Sequence, residues 1–144
     1  MQVKQVSVFL ENKSGRLAEV TRVLGSRNID INALSIADTT EFGILRLIVN
    51  NPDAAVEALK ENNFSVGITD VIAFCVDNKP GGLSIALNIL EENNVGIEYM
   101  YSYLGNTGDG KAIIIIRVED TKNAIDLLNS NGIETVPVDE IYHI

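Results

Sequence analysis

The sequence predicts an α+β fold in which a βαββαβ unit is duplicated, with antiparallel sheets and helices packed on one face of them. Two observations support this prediction. A six-residue segment that joins an apolar stretch to an amphipathic one occurs twice, beginning at Asn12 and at Asn78. In both halves the apolar period also changes from two residues to 3.6, which is typical of a strand followed by a helix.

The repeated segment reads Asn12-Lys13-Ser14-Gly15-Arg16-Leu17 in the first copy and Asn78-Lys79-Pro80-Gly81-Gly82-Leu83 in the second. The two copies are 66 residues apart (78 − 12), and beyond the central hairpin the offset becomes 69, since Leu47 matches Ile116. We therefore expect two domains, residues 1–69 and 70–144. A unit of about 70 residues is near the lower limit for an independent core, so the copies or two chains should support each other.

The first copy gives each element a distinct pattern. Apolar residues alternate from Val3 to Leu10, which predicts a strand, and Leu17, Val20 and Leu24 share one face of a helix over 15–27. Strands over 31–37, 44–49 and 64–68 and a helix that begins near Pro52 follow. Right-handed crossovers in a sheet ordered 4-1-3-2 place the most apolar strands in the centre.

The second copy repeats this order, and only Thr69 and Asp70 separate it from the first. Its predicted strands span 71–76, 97–104, 112–118 and 135–138, and its helices begin at Gly81 and near Ala124. We expect the sheet face opposite the helices to be bare and apolar, and such a face usually marks an interface. A homodimer through this face or through the edges of the second strands is predicted. The expected face carries Phe9, Ile44, Ile48, Ala73, Cys75, Ile113 and Ile115.

Composition excludes several partners. The chain has 20 acidic and 11 basic residues, a net charge of −9, and no basic cluster, so a nucleic acid would be repelled. No apolar run approaches the roughly 20 residues that span a bilayer, and no signal sequence precedes the first strand, so no membrane partner and a cytoplasmic location are expected. The single cysteine, Cys75, forms no intrachain disulfide, which agrees with a reducing compartment.

Catalytic arrangements are not expected, because the only histidine, His143, is next to last and has no supporting motif. We predict no enzyme, no metal and no cofactor. The segment Gly105–Lys111 matches the Walker A spacing, but Ala112 replaces the required Ser or Thr and a strand follows instead of a helix. It is therefore interpreted as a hairpin.

Three tyrosines, Tyr99, Tyr101 and Tyr103, alternate along an edge strand. Aromatic platforms for RNA would lie on the central strands instead, so these rings are expected to pack against a neighbouring repeat or to line a ligand site.

The repeated segment is the candidate binding site. Gly15 and Gly81 allow a ligand to approach the backbone, and the first amides of the helices they open have no intrahelical acceptor and attract a carboxylate. The side-chain amides of Asn12 and Asn78 can contact an ammonium group. A free α-amino acid presents both groups. From chemistry alone, a purely structural turn explains the same residues equally well.

The pattern Asn-x-Pro-Gly-x-Leu between a first strand and a first helix resembles the ACT domain, a ferredoxin-like module that typically binds free amino acids and regulates enzymes of amino-acid metabolism. The resemblance implies a non-catalytic regulatory protein that binds a free L-amino acid, with a separately encoded metabolic enzyme as its partner. The alternative is an assembly protein that kept the scaffold and lost the ligand. Ser14 departs from the pattern, and because Pro80 fixes the backbone, the second turn is expected to be better formed.

The resemblance also implies where the ligand lies, between two modules. The turn of one module would bind the carboxylate and the ammonium, and the start of the second strand of the other would supply the walls. The residues implied are Asn12, Ser14, Gly15, Arg16, Leu17, Ile31, Asn32, Asn78, Pro80, Gly81, Gly82, Leu83, Ile97 and Glu98.

Overall fold

The structure, a computed structural model, describes residues 2–11, 13–38, 41–104 and 108–143. The chain divides into two compact units, Lys4–Thr69 and Asp70–Ile144, and the residues before Lys4 belong to the second. Each unit has its own hydrophobic core. The elements are β1 (Val3–Glu11), α1 (Arg16–Ser26), β2 (Ile31–Asp38), β3 (Phe42–Val49), α2 (Pro52–Glu61), β4 (Ser65–Asp77), α3 (Gly82–Glu92), β5 (Ile97–Ser102), β6 (Lys111–Val118), α4 (Thr121–Ser130) and α5 (Val138–His143).

In the first unit, called unit A here, the strands are ordered β2-β3-β1-β4, which is the predicted order 4-1-3-2. Both β1 and β2 pair with β3 in the antiparallel sense. Val8 and Leu45 are opposite each other and face the helices, where Leu24 of α1 and Leu59 of α2 join the same cluster. Complete burial of such a side chain contributes about 1.5–3 kcal/mol, so this predicted face forms the core.

The second unit, unit B, places the last part of β4 beside β6, and β6 beside β5. Phe74 is fully buried at the centre of β4 and lies opposite Ile114. Leu90 of α3 and Leu128 of α4 pack in the same cluster. The helix-facing core of the second copy was therefore also predicted correctly by its apolar spacing.

The duplication is visible in the backbone as well as in the sequence. Residues in the left-handed region occur at matching positions, Asn28 and Asn94 with φ of 57° and 58°, and Asn63 and Gly132 with φ of 66° and 79°. All four follow the end of a helix, where a left-handed residue reverses the chain direction. The two copies thus share their helix ends, with the offset of 66 before the central hairpin and 69 after it.

The prediction of two separate strands at the junction is wrong. The fourth strand of the first copy and the first strand of the second are one strand of 13 residues, β4. Thr69 and Asp70, interpreted as a connection, lie within it. Backbone hydrogen bonds define a strand, and polar side chains are compatible with it wherever they point to solvent, so two polar residues did not interrupt it.

The prediction of a final strand over 135–138 is also wrong. Only Thr135 pairs, in an isolated bridge to Phe74. Two backbone hydrogen bonds hold it, from Cys75 N–H to Glu134 O (2.9 Å) and from Val136 N–H to Ala73 O (2.8 Å). Pro137 has no N–H to extend the ladder, and the helix α5, which includes His143, begins at the next residue.

The sheet face opposite the helices is mostly covered, which corrects the expectation of a bare face. Ile48, Ala73, Ile113 and Ile115 are buried, Ile44 and Cys75 are half-buried, and Phe9 is exposed. In unit B the fully buried Ile141 belongs to α5, and Glu140 of the same helix is close enough to help raise the pKa of Cys75. The unpredicted helix α5 thus buries an apolar side chain shortly after the Thr135 bridge.

Candidate functional site

The two glycine turns have nearly the same backbone conformation. Gly15 has φ 88° and ψ −10°, and Gly81 has φ 84° and ψ −9°, both in the left-handed region that favours glycine. Ser14 and Pro80 therefore precede glycines of nearly the same backbone angles, and the better-formed second turn stays a prediction. Each glycine is the N-cap residue of its helix, α1 or α3.

The helices that begin at these turns lack the cap that the other long helices have. The side chain of Asn51 accepts from the Ala54 N–H at the start of α2, and that of Asp120 accepts from the Asn123 N–H at the start of α4. No side chain caps α1 or α3 among the described residues. Both copies thus have one helix with a side-chain cap and one without, and a helix start without a side-chain cap favours an anion.

In unit B the turn forms one wall of a cleft of about 570 Å³. This volume is within the range of small-molecule sites in proteins. The cleft lies between the end of β4, the start of α3, the end of β5 and the start of β6. Its lining residues are Val76, Asp77, Asn78, Lys79, Leu83, Ser102, Tyr103, Lys111, Ala112, Ile113 and Ile114.

Charges of both signs lie on the rim of this cleft. Asp77 bonds to the Lys111 ammonium and lies 3.7 Å from the Lys79 Nζ. The hydrogen bond from Lys111 lowers the pKa of Asp77, and Asp77 raises the pKa of Lys111. These groups are solvent-exposed, so their pairing adds little stability, but it keeps the Asp77 carboxylate and the Lys111 ammonium charged beside the turn at neutral pH.

The long hairpin of unit B supports the turn. The Asn78 N–H donates to the Gly110 carbonyl at 2.9 Å, and Lys111 begins β6. The interpretation of this segment as a hairpin rather than a phosphate-binding loop is confirmed for residues 108–111, and 105–107 lie outside the described residues. Lys111 thus contributes to the wall of the cleft instead of opening a helix.

Unit A has a smaller cleft of about 170 Å³ at the corresponding position. An ion pair between Lys13 and Glu11 (2.9 Å) lies at its rim, and Arg16 forms a second one with Glu19 (2.9 Å). Asn12, predicted to contact the ligand, lies outside the described residues. The lining residues are Leu10, Glu11, Lys13, Arg16, Leu17, Ile36 and Gly43.

The predicted wall residues lie elsewhere within each unit. Ile97 and Glu98, at the start of β5, line a separate cleft of about 570 Å³, and Glu98 pairs with Arg117 there (3.2 Å). In unit A, Ile31 is half-buried and Asn32 is buried, both at the start of β2. Because the predicted contact joins two modules, it stays a prediction.

Sequence reasoning missed most of the strand residues that line the turns. They lie at the end of the second strand of each copy, Ile36 in unit A and Ser102 with Tyr103 in unit B. An antiparallel hairpin places the end of its first strand beside the start of its second, and both lie next to the end of the central strand. The alternating tyrosines Tyr99, Tyr101 and Tyr103 were the only sequence signal that this strand could line a ligand site.

Cys75 does not have the properties of a reactive thiol. It is half-buried, and burial raises its pKa, with a further contribution from Glu134. Thiolate, the nucleophilic form, is therefore scarce at neutral pH. Among the described residues, no three His, Cys, Asp or Glu side chains are grouped closely enough to hold a metal ion.

The fold and the repeated turn define a pair of ferredoxin-like modules of the regulatory class. The family described as the ACT domain pair matches residues 1–144, and the chain belongs to this family. ACT domains are regulatory modules, and no catalytic family is indicated. A search of curated proteins gave no significant match.

Solved structures agree with this assignment. Protein BT0572 from Bacteroides thetaiotaomicron is 44% identical, with a TM-score of 0.93 over 100% of this chain and 98% of that chain. The ligand-free regulatory subunit of aspartate kinase from Thermus thermophilus is 15% identical, with a TM-score of 0.62 over 90% and 91%. Aspartate kinase from Clostridium acetobutylicum is 14% identical, with a TM-score of 0.53 over 90% of this chain and 33% of that chain. The last two show the fold alone.

The helices of the described residues are all too short or too polar to cross a membrane.

Proposed function

We propose that the protein is a non-catalytic sensor that binds a free L-amino acid at its glycine turns and regulates a separately encoded enzyme of amino-acid metabolism in the cytoplasm. The observation that carries this proposal is the difference in N-terminal capping between the two long helices of each unit. In both units the helix after the glycine turn is uncapped, while the other long helix is capped by Asn51 or Asp120. The left-handed glycine at each turn has no side chain to cap the helix, so the first amides are left available to a ligand.

The first amides of α3 would bind the ligand carboxylate. The Gly82 N–H already donates to the Lys79 carbonyl at 3.0 Å, so the amides of Leu83 and Ser84 are the ones left for a ligand. Helix amides have no intrahelical acceptor at these positions, and the macrodipole favours a negative charge there. The amides of Leu17 and Ala18 are their equivalents in α1.

The ligand ammonium would lie at the opposite side of the turn. Asn78 lines the cleft, and the Asp77 carboxylate beside it stays ionised at neutral pH because its pKa is lowered. A zwitterion presents its two charges a few bonds apart, and the turn offers both donor and acceptor groups. Walls from the start of a second strand in another module, such as Ile97-Glu98 or Ile31-Asn32, remain part of the proposal.

Thermal melting with each of the twenty L-amino acids tests the proposal. A ligand at 100 times its Kd adds about 2.7 kcal/mol of stability, which raises Tm by about 5–10 °C for a chain of this size. We expect Gly81→Val to remove this rise, because the turn holds a φ of 84° that costs a β-branched residue about 1–2 kcal/mol or more. The protein should remain folded.

Gly67→Val is the matched control. Gly67 lies in β4, has no close neighbour to an added Cβ and no left-handed φ, so this variant should keep the amino-acid response. If Gly15→Val and Gly81→Val both keep the response, the turn is structural. If no amino acid raises Tm of the unmodified chain, the assembly-protein alternative replaces the sensor.

A homodimer is the second part of the proposal. With most of the opposite sheet face covered, exposed apolar side chains remain at Phe9 and Phe42 (53% and 55% exposed) and along the edge strand β2 at Leu34 and Ile36. We expect light scattering at micromolar concentration to give twice the chain mass of 15.7 kDa. Leu34→Lys, which places a charge on the edge strand, should weaken the dimer if β2 forms the interface. A stable monomer for the unmodified chain would exclude this interface.

A further inference from the structure

We propose that the two turns are unequal in function and that only the cleft of unit B takes the amino acid, because Arg16 fills the equivalent space in unit A. This inference rests on the proposed function and adds to it the location and number of the binding sites. It does not follow from the turn backbones, which are nearly identical.

Arg16 and Gly82 occupy equivalent positions, immediately after the left-handed glycine of each turn. The cleft at the second turn, which is lined by Asn78, Lys79 and Leu83, measures about 570 Å³, and the cleft at the first turn, which Arg16 lines, about 170 Å³. Arg16 is itself a lining residue of the smaller cleft, whereas Gly82 has no side chain to project. The first turn thus carries the long Arg16 side chain at the position where the second turn has Gly82, which has no side chain.

The Arg16 side chain is held in place by two neighbours. Its Nη1 donates to the Glu19 Oε2 at 2.9 Å, and its guanidinium carbon lies 4.3 Å from the centroid of the Phe64 ring. A planar guanidinium over an aromatic face with a carboxylate partner is a stable arrangement. The side chain is only 27% exposed, so it is fixed against the protein rather than extended into solvent.

The same two anchors are missing from unit B. Glu19 corresponds to Ile85 at the offset of 66, and Phe64 corresponds to Ile133 at the offset of 69. The arginine and both residues that hold it are therefore present together in the first copy and replaced together in the second. Such a coordinated difference indicates that the filled cleft is a built feature of unit A.

The rival interpretation is that Arg16 binds the ligand carboxylate directly. Its Nε is buried and has no hydrogen-bond partner among the described residues. A ligand could reach this buried nitrogen only after the side chain leaves Glu19 and Phe64. The geometry favours Arg16 as an occupant of the site over Arg16 as a ligand-binding residue.

The test is site-resolved binding of the twenty L-amino acids, each added singly to the full chain. Calorimetry should give one site per chain for the amino acid that binds most tightly. In NMR spectra the amides of Leu83 and Ser84 should shift on titration, while those of Leu17 and Ala18 should not. Arg16→Ala should raise the stoichiometry from one to two and add shifts at Leu17 and Ala18.

Arg22→Ala is the matched control, because Arg22 is exposed on the same helix and does not line the cleft. It should keep one site. Two equal sites in the unmodified chain, or a lost site in Arg16→Ala, would overturn this inference and leave the proposed function standing. Absence of binding to all three proteins would overturn the proposed function together with the inference.

Discussion

Gly82→Ala is expected to lower the free energy of unfolding by about 1–3 kcal/mol and to abolish the rise in Tm with amino acid. A Cβ at this position would lie 2.0 Å from the Asp77 carbonyl oxygen and 3.0 Å from its carbon. Atoms of the backbone cannot move aside as a flexible side chain can, so the turn must change shape. Because Asp77, Asn78 and Lys79 line the cleft, the binding site changes with it.

The first copy indicates how the variant turn would relax. Arg16 has a Cβ at the equivalent position, and its N–H donates to the Lys13 carbonyl at 3.3 Å. The equivalent hydrogen bond of the second copy, from the Gly82 N–H to the Lys79 carbonyl, is 3.0 Å long. We therefore expect Gly82→Ala to fold with a looser turn of this kind. Circular dichroism during urea unfolding, with and without amino acid, measures both effects.

Gly25→Ala serves as the comparison for glycine replacement as such. Gly25 lies in α1, an added Cβ has no neighbour within 4 Å, and its φ is not left-handed. This variant should gain about 0.5–1 kcal/mol, because alanine has the higher helix propensity. A Gly82→Ala protein as stable and as responsive as the unmodified chain would show that the close approach to Asp77 has no role.

Phe74→Ala is expected to cost about 3–5 kcal/mol of unfolding free energy, the largest effect of a single core truncation in this chain. Phe74 is fully buried and packs in the cluster of unit B between Ile114 on one side and the Thr135 bridge on the other. Total stabilities of single domains are about 5–15 kcal/mol, so the variant should lose a large share of its stability.

Two further variants calibrate this result. Phe74→Leu keeps most of the volume and should cost about 1.5 kcal/mol or less, while Ile85→Ala, at a side chain that is 54% exposed, should change stability by no more than about 0.5 kcal/mol. Urea midpoints of the three proteins give the comparison. Similar midpoints for Phe74→Ala and Ile85→Ala would contradict the burial described for Phe74.

The helix-facing cores were predictable because the apolar spacing is a local property. Val20 and Leu24 in α1 and Leu128 in α4 are buried as their positions in a 3.6-residue period require. The duplicated turn was predictable for a related reason, since glycine at a left-handed position is read from a few adjacent residues.

The rest depends on contacts between distant residues. The polar pair Thr69 and Asp70 reads locally as a connection, yet β-pairing continues through it. The last helix, α5, has six residues and is too short to give a clear period. Sequence pattern alone does not show which distant element covers a face.

The site was predicted only as far as the turn itself. Ser102 and Tyr103 reach the cleft of unit B through strand pairing, and the position of the Arg16 side chain depends on Glu19 and on Phe64, which is distant in sequence. In the sequence, Arg16 was one of several residues assigned to the ligand. Its contacts with Glu19 and Phe64 support the opposite role that we propose for it.

The shortened last strand has a consequence for self-association. A β-sheet edge with free N–H and C=O groups is a template on which other chains can add strands and aggregate. Along β4 in unit B, the pair of hydrogen bonds around Thr135 occupies the N–H of Cys75 and the C=O of Ala73. Pro137 then prevents further pairing and directs the chain into α5. The single bridge residue Thr135, followed by Pro137, thus protects this edge against intermolecular β-pairing. A full strand would need more residues for the same protection.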